Sequence, residues 1–146
     1  MNIKFKKLHK DAILPVQAKE GDAGMDLTCV ETKNDDYGNV THHYGLAVEI
    51  PPGNVGFLMH RSSVYKQDQM MTNCVGVIDS GYRGEIMGKF LPVDKYPSGQ
   101  EDPGPYEVGE RTAQLVILPV RTVISEWAEE LADSDRGTDG HGSSGK

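Results

Sequence analysis

Asp79 stands where an alternating apolar run stops. Val75 and Val77 precede it, Ser80-Gly81 break the pattern, and Ile86 resumes it. A carboxylate at a strand end can accept a proton from water, or it can simply fold an Asx-turn at a hairpin tip. Both readings fit the residues. Asp26 lies between Met25 and Leu27 in another strand-like run, where a carboxylate needs amide donors or a cation. Arg61-Ser62-Ser63 sets a guanidinium and two hydroxyls at the start of a candidate helix. That combination suits an anion, and it equally suits an ordinary capped helix with a solvated arginine. Gln114 interrupts an apolar strand, so its amide must bond backbone or face bound water. From Asp133 to Lys146 the chain is rich in Gly and Ser around Arg136. Alone this is a disordered tail, although Gly-rich backbone can also lay its amides against phosphates once a ligand is present.

The elements that must position these residues are short and separated by turns. Residues 2–8 alternate as an edge strand carrying lysines, and residues 25–30 form a second strand. Residues 31–43 read as a hairpin with a polar tip, where Asp35 and Asp36 are solvated. His42-His43 is a poor metal site because neighbouring strand residues face opposite ways. Leu46, Val48 and Ile50 alternate until Pro51-Pro52-Gly53 stops them, and residues 55–59 follow as a strand. A short helix is expected from Ser62 or Ser63 toward Gln69. Residues 73–90 read as two antiparallel strands joined by a turn at Asp79-Ser80-Gly81. Residues 92–106 form a loop, and residues 112–119 a core strand. In residues 121–132 the local propensity of Glu126-Trp127-Ala128-Glu129-Glu130-Leu131 favours helix. Seventeen glycines and 8 prolines spread along 146 residues favour an all-β sandwich or barrel of one domain.

The formal charge of −7 argues against general binding to nucleic acid or acidic membranes. No stretch approaches the ~20 apolar residues of a membrane span. The basic first ten residues lack the apolar run of a secretory leader. Cys29 and Cys74 have neither metal-knuckle nor disulfide-framework spacing. They read as reduced core thiols of a cytoplasmic protein.

Five segments resemble, in order, the motifs of the homotrimeric dUTP diphosphatases (dUTPases): Ala23-Gly24-Met25-Asp26-Leu27; Arg61-Ser62-Ser63; residues 73–90 with Gly76-Val77-Ile78-Asp79 and Tyr82-Arg83-Gly84; Gly109-Glu110-Arg111-Thr112-Ala113-Gln114-Leu115; and the Gly-rich residues 136–145. One such match is weak, but five in order are specific. The resemblance implies a distorted jelly-roll over residues 1–132 with one short helix, a strand within 121–132, and a flexible arm over 133–146 that closes on the site. It implies hydrolysis of dUTP to dUMP and pyrophosphate by attack of water on the α-phosphorus, which keeps dUTP low and supplies dUMP for thymidylate synthesis. It also implies a homotrimer with shared sites.

By the same resemblance Asp79 is the general base and bonds the sugar 3′-hydroxyl, and Gln114 holds the attacking water. Asn73, the backbone of Val77 and Ile78, and Met87 read uracil. Tyr82 packs under deoxyribose and excludes a 2′-hydroxyl. Arg61, Ser62 and Ser63 take the phosphates on one side, and Arg136, Gly142, Ser143 and Ser144 on the other. Mg²⁺ is held mainly by substrate phosphates, with Asp26 and Gln114 acting through water.

The chain departs from the pattern at three places. His141 stands where Phe is usual and would stack on uracil with less apolar area. Asp139 replaces a common Gly and sets negative charge near a triphosphate. Ser63 replaces a common Gly. The related dCTP deaminases carry a catalytic Glu ten residues after the matching Asp. Here that place is Lys89, which cannot shuttle the proton, so deamination is rejected. The remaining alternative is a dUTP-binding regulatory protein acting through a protein partner.

Overall fold

The structure, a computed structural model, describes residues 1–93, 104–135 and 137–138. Its strands are β1 (Lys4–Lys7), β2 (Gly24–Thr28), β3 (Glu31–Asn34), β4 (Val40–Glu49), β5 (Asn54–His60), β6 (Gln69–Met71), β7 (Gly76–Ile78), β8 (Glu85–Pro92) and β9 (Arg111–Pro119). One sheet runs β1-β4-β8-β6, with β3 also paired to β4, and the other runs β2-β9-β5-β7. Every ladder is antiparallel. The result is the expected all-β jelly-roll of two packed sheets.

Alternation decides which faces meet. In β4 the even-numbered residues His42, Tyr44, Leu46 and Val48 are buried, and Ile50 follows them. Tyr44, Leu46, Val48 and Ile50 pack with Ile86 and Phe90 of β8 against Leu27, Leu58, Ile78, Ala113 and Leu115 of the other sheet. At about 25 cal/mol per Å² this apolar burial is the main force holding the sheets together. His43 faces the other way and bonds Glu85 at 3.0 Å.

Four expectations are corrected. The strands of residues 73–90 do not pair with each other. β7 pairs with β5 and β8 with β4 and β6, so residues 79–84 cross from one sheet to the other. Local alternation reports that strands exist but cannot report which partner each takes. The helix is a 3-10 turn over Ser62–Lys66, without a side-chain cap, and Gln69 already belongs to β6. Residues 121–132 form no strand, because no sheet edge among the described residues pairs with them. Cys74 is exposed, while Cys29 is buried as expected.

Candidate active site

A pocket of ≈230 Å³ opens beside the crossing between sheets. Asn73, Val77, Ile78, Tyr82 and Met87 line it with Leu58, Glu85 and Lys89. Five of the expected base- and sugar-contacting residues are thus brought together. The Asn73 amide is fixed across β8. Its Nδ2 donates to the Met87 carbonyl at 3.0 Å, and its Oδ1 accepts from the Lys89 N–H at 2.8 Å. Reversing the amide would set oxygen against oxygen, so its orientation is determined by backbone. Tyr82 donates its hydroxyl to the Glu85 carbonyl at 3.0 Å. Glycine at 84 is required there, because a Cβ would lie 2.3 Å from the Tyr82 hydroxyl.

Asp79 follows β7 directly and is exposed. Its backbone carbonyl accepts from Tyr82 N at 3.0 Å. Among the described residues its carboxylate has no hydrogen-bond or ion-pair partner, so it is open to a ligand or a water.

A second cluster sits at the far end of β5. Asp26 and Gln114 are register partners on β2 and β9. Arg61 Nε donates to Asp26 Oδ1 at 2.8 Å, and Arg111 Nη1 to Oδ2 at 3.0 Å. This answers what a carboxylate between apolar neighbours needs, since two guanidiniums neutralise it. Gln114 Nε2 donates to the His60 carbonyl at 3.0 Å. A Cβ at Gly24 would lie 2.6 Å from Gln114 Oε1, so glycine there makes room for the amide. Ser62 is exposed, and Ser63 Oγ stands 3.5 Å from the Tyr106 hydroxyl. Arg111 is a contact that local sequence does not reveal; beyond its place in the fourth motif segment, its only signal is its position beside Glu110 at the strand start.

The two clusters are apart within one chain. Ile78 pairs with Gly56 and Met59 with Gln114. Asp79 therefore lies level with Val55, four residues along β5 from Met59, and β5 separates β7 from β9. At ~3.3 Å per residue and ~4.8 Å between strands, the Asp79 and Gln114 backbones are about 16 Å apart. Gln114 is thus not on the strand neighbouring Asp79, and no single water reaches both in one chain. The candidate residues Arg136, His141, Gly142, Ser143 and Ser144 lie outside the described residues.

Among the described residues no group of three or more His, Cys, Asp or Glu could hold a metal. Both oxygens of Asp26 already accept from guanidiniums. This donor set fits a Mg²⁺ ion that keeps its waters and rides on ligand oxygens, and it does not fit a protein cage.

The fold and site are those of a nucleotide-binding jelly-roll. The dUTPase family model matches residues 10–145, and the chain belongs to the dUTPase family. A deoxyuridine 5′-triphosphate nucleotidohydrolase of Clostridium acetobutylicum is 41% identical over 147 residues, covering 99% of this chain and 97% of the relative. The Staphylococcus bacteriophage 80alpha dUTPase with dUpNHpp superposes with a TM-score of 0.82 at 30% identity, covering 99% of each chain. The dUTPase of S. aureus phage phi11, described with a structural Mg(II) ion, superposes with a TM-score of 0.72 at 25% identity, covering 89% of this chain and 98% of the phage one.

Proposed function

We propose that the protein hydrolyses dUTP to dUMP and pyrophosphate, with Asp79 as general base and with each site completed by more than one copy of the chain. The observation that carries this is the pocket built by Asn73, Val77, Ile78, Tyr82 and Met87 beside the open carboxylate of Asp79, in a member of the dUTPase family. The Asn73 amide, held by one edge on β8, keeps one further N–H or lone pair for the base, and the backbone N–H and carbonyl groups of Val77, Ile78 and Met87 complement the remaining carbonyl and N–H of uracil. Cytosine presents an amine and a bare ring nitrogen there, which leaves buried polar groups unpaired. Tyr82 closes the sugar side against a 2′-hydroxyl.

In the step itself water attacks the α-phosphorus, its proton passes to Asp79, and the bond to pyrophosphate breaks. Asp79 must be ionised and within hydrogen-bond reach of that water. Arg61 and the hydroxyls of Ser62 and Ser63 bind phosphate oxygens, and Arg136, Gly142, Ser143 and Ser144 close over them, with His141 stacked on the base. When bound, Mg²⁺ would supply charge neutralisation on the phosphates, and Asp26 and Gln114 would hold it through water.

The ~16 Å between Asp79 and Gln114 in one chain supports sharing between subunits, since a second copy can bring its own Gln114 and Arg61 to this Asp79. Val123, Ile124, Trp127 and Leu131 are 80, 90, 104 and 89% exposed. An apolar stretch this bare calls for a partner surface, and a homotrimer supplies one. No helix among the described residues is long and apolar enough to cross a membrane, and a cytoplasmic location is proposed.

Pyrophosphate release over dUTP, dCTP, dTTP and UTP with Mg²⁺ tests the reading. dUTP is expected to be far the best substrate. Comparable rates on any two of the four would overturn it. Binding of dUTP without turnover would favour the regulatory alternative.

A further inference from the structure

Lys89 lines the pocket and is given no role by the family motifs. Its side chain does not end in solvent. Nζ donates to Asp35 Oδ2 at 2.8 Å, with the Thr41 hydroxyl at 3.5 Å. Asp35 is not a solvated tip residue, as the sequence suggests. Its Oδ1 accepts from the Tyr37 and Asn39 N–H groups at 3.0 and 2.9 Å, and the Asn39 side-chain amide donates to both oxygens. Asn39 Oδ1 in turn accepts from the Thr72 hydroxyl at 3.0 Å, and Thr72 N donates to the Lys89 carbonyl at 2.8 Å. The bonds close a ring: Lys89, Asp35, Asn39, Thr72 and back to Lys89.

That ring lies directly behind the base-reading amide. Asn73 follows Thr72 in the chain, and its Oδ1 is held by the Lys89 N–H. The β3–β4 turn, distant in sequence, therefore clamps both backbone segments that orient Asn73. The clamp is electrostatic and partly shielded, with the Asp35 side chain 18% exposed and that of Lys89 41%. The Lys89 ammonium, followed by the turn amides, holds the Asp35 carboxyl well below the usual carboxylate range.

We propose that Lys89 and Asp35 are positioning residues for base selection, with the Asp35–Lys89 ion pair bracing the Asn73 amide so that uracil is accepted and cytosine rejected. This rests on the dUTP reading above. A loosened ring lets the 72–73 and 87–89 segments shift relative to each other. Binding of the correct base weakens and the mismatch is punished less, while the chemical step at the α-phosphorus is untouched.

The experiment measures kcat and KM for dUTP and dCTP in wild type, Asp35→Asn, Lys89→Met and Lys89→Arg. Asn and Met keep the stems and remove the charges. For Asp35→Asn and Lys89→Met the KM for dUTP is expected to rise about three- to tenfold with kcat within about twofold, and the dUTP-to-dCTP ratio of kcat/KM to fall by a similar factor. Lys89→Arg should retain most of the discrimination. A merely structural pair would lower the melting temperature without moving that ratio. Salt supplies an independent readout. Phosphate contacts weaken equally for both nucleotides and cancel in the ratio, so a falling ratio between 0.05 and ~1 M salt in wild type, but not in Lys89→Met, reports the ion pair itself. Unchanged discrimination in both charge-removing variants, with wild type selective, overturns this inference alone. A wild type that does not prefer dUTP overturns the substrate reading and this inference together.

Discussion

At the scale of the residue, function turns on which polar groups are left open and which are already engaged. Asp79 is open, whereas each oxygen of Asp26 already accepts from a guanidinium, that of Arg61 or of Arg111. A proton acceptor needs the first condition and a structural anchor the second. Asp79→Asn should therefore lower kcat by at least ~10²-fold while calorimetry still shows dUTP binding. Normal turnover by the purified variant would remove Asp79 from the base role. His42 is the opposite case, a buried titratable group outside the site. It stacks on Phe90 with centroids 4.2 Å apart, and neither ring nitrogen has a hydrogen-bond partner among the described residues. Burial, helped by His43, pushes its pKa down to about 4 from 6.5. The unfolded chain then binds the proton more readily, so stability is full above pH ~6.5 and is lost as pH falls toward ~4, by on the order of 3 kcal/mol. Urea unfolding should show a steeper loss between pH 7 and 4.5 for wild type than for His42→Leu. Equal slopes would mean that His42 is charged or solvated in the folded state.

At the scale of the element, the crossing between β7 and β8 matters more than either strand. It carries Asp79 at one end and the Tyr82 ring in its middle, and it is kept narrow at Gly84. A methyl group at 84 would collide with the Tyr82 hydroxyl and displace the ring from the sugar side of the pocket. Gly84→Ala should thus raise the rate on UTP relative to dUTP by about tenfold or more, the order expected when one packing contact is lost. A variant that still rejects UTP like wild type would show that Tyr82 is not the gate. The crossing was visible in the sequence as a break in alternation with Asp, Ser and Gly. That it joins two sheets, and does not fold back as a hairpin, was not visible, because backbone pairing depends on partners far along the chain.

At the scale of the whole molecule, the Asp79 pocket and the Asp26–Gln114 cluster lie apart in one chain, and the proposed shared site joins them across two copies. Complementation tests this directly. Asp79→Asn and Gln114→Ala chains should each be nearly inactive alone. After co-refolding, mixed assemblies that pair an intact Asp79 with an intact Gln114 should recover a substantial fraction of activity. No recovery in mixed trimers verified by mass would place both residues in the site of one chain. Deleting residues 136–146 should leave a trimer by light scattering with almost no turnover, because the Gly-rich tail has no apolar anchor for assembly. A fully active truncation would take that segment out of the site.

Alternation and turn residues by themselves determined that the chain is an all-β protein, about where β5 and β9 run, and which face of β4 is buried over Leu46 and Val48. These depend on neighbours a few residues away and on the period-2 geometry of strands. The order of five motifs placed the candidate residues, and five of them converge on one pocket. Only the tertiary structure decided that Asp79 and Gln114 lie on opposite sides of β5, that Arg111 joins Arg61 on Asp26, and that Asp35 is tied to Lys89 behind Asn73. It also decided the fate of residues 121–132, where local propensity favoured a helix and the family pattern a strand. An extended segment becomes a strand only against an unpaired edge, and no edge among the described residues takes it. Each of these outcomes is set by contacts between residues tens of positions apart, for which no local pattern carries a signal.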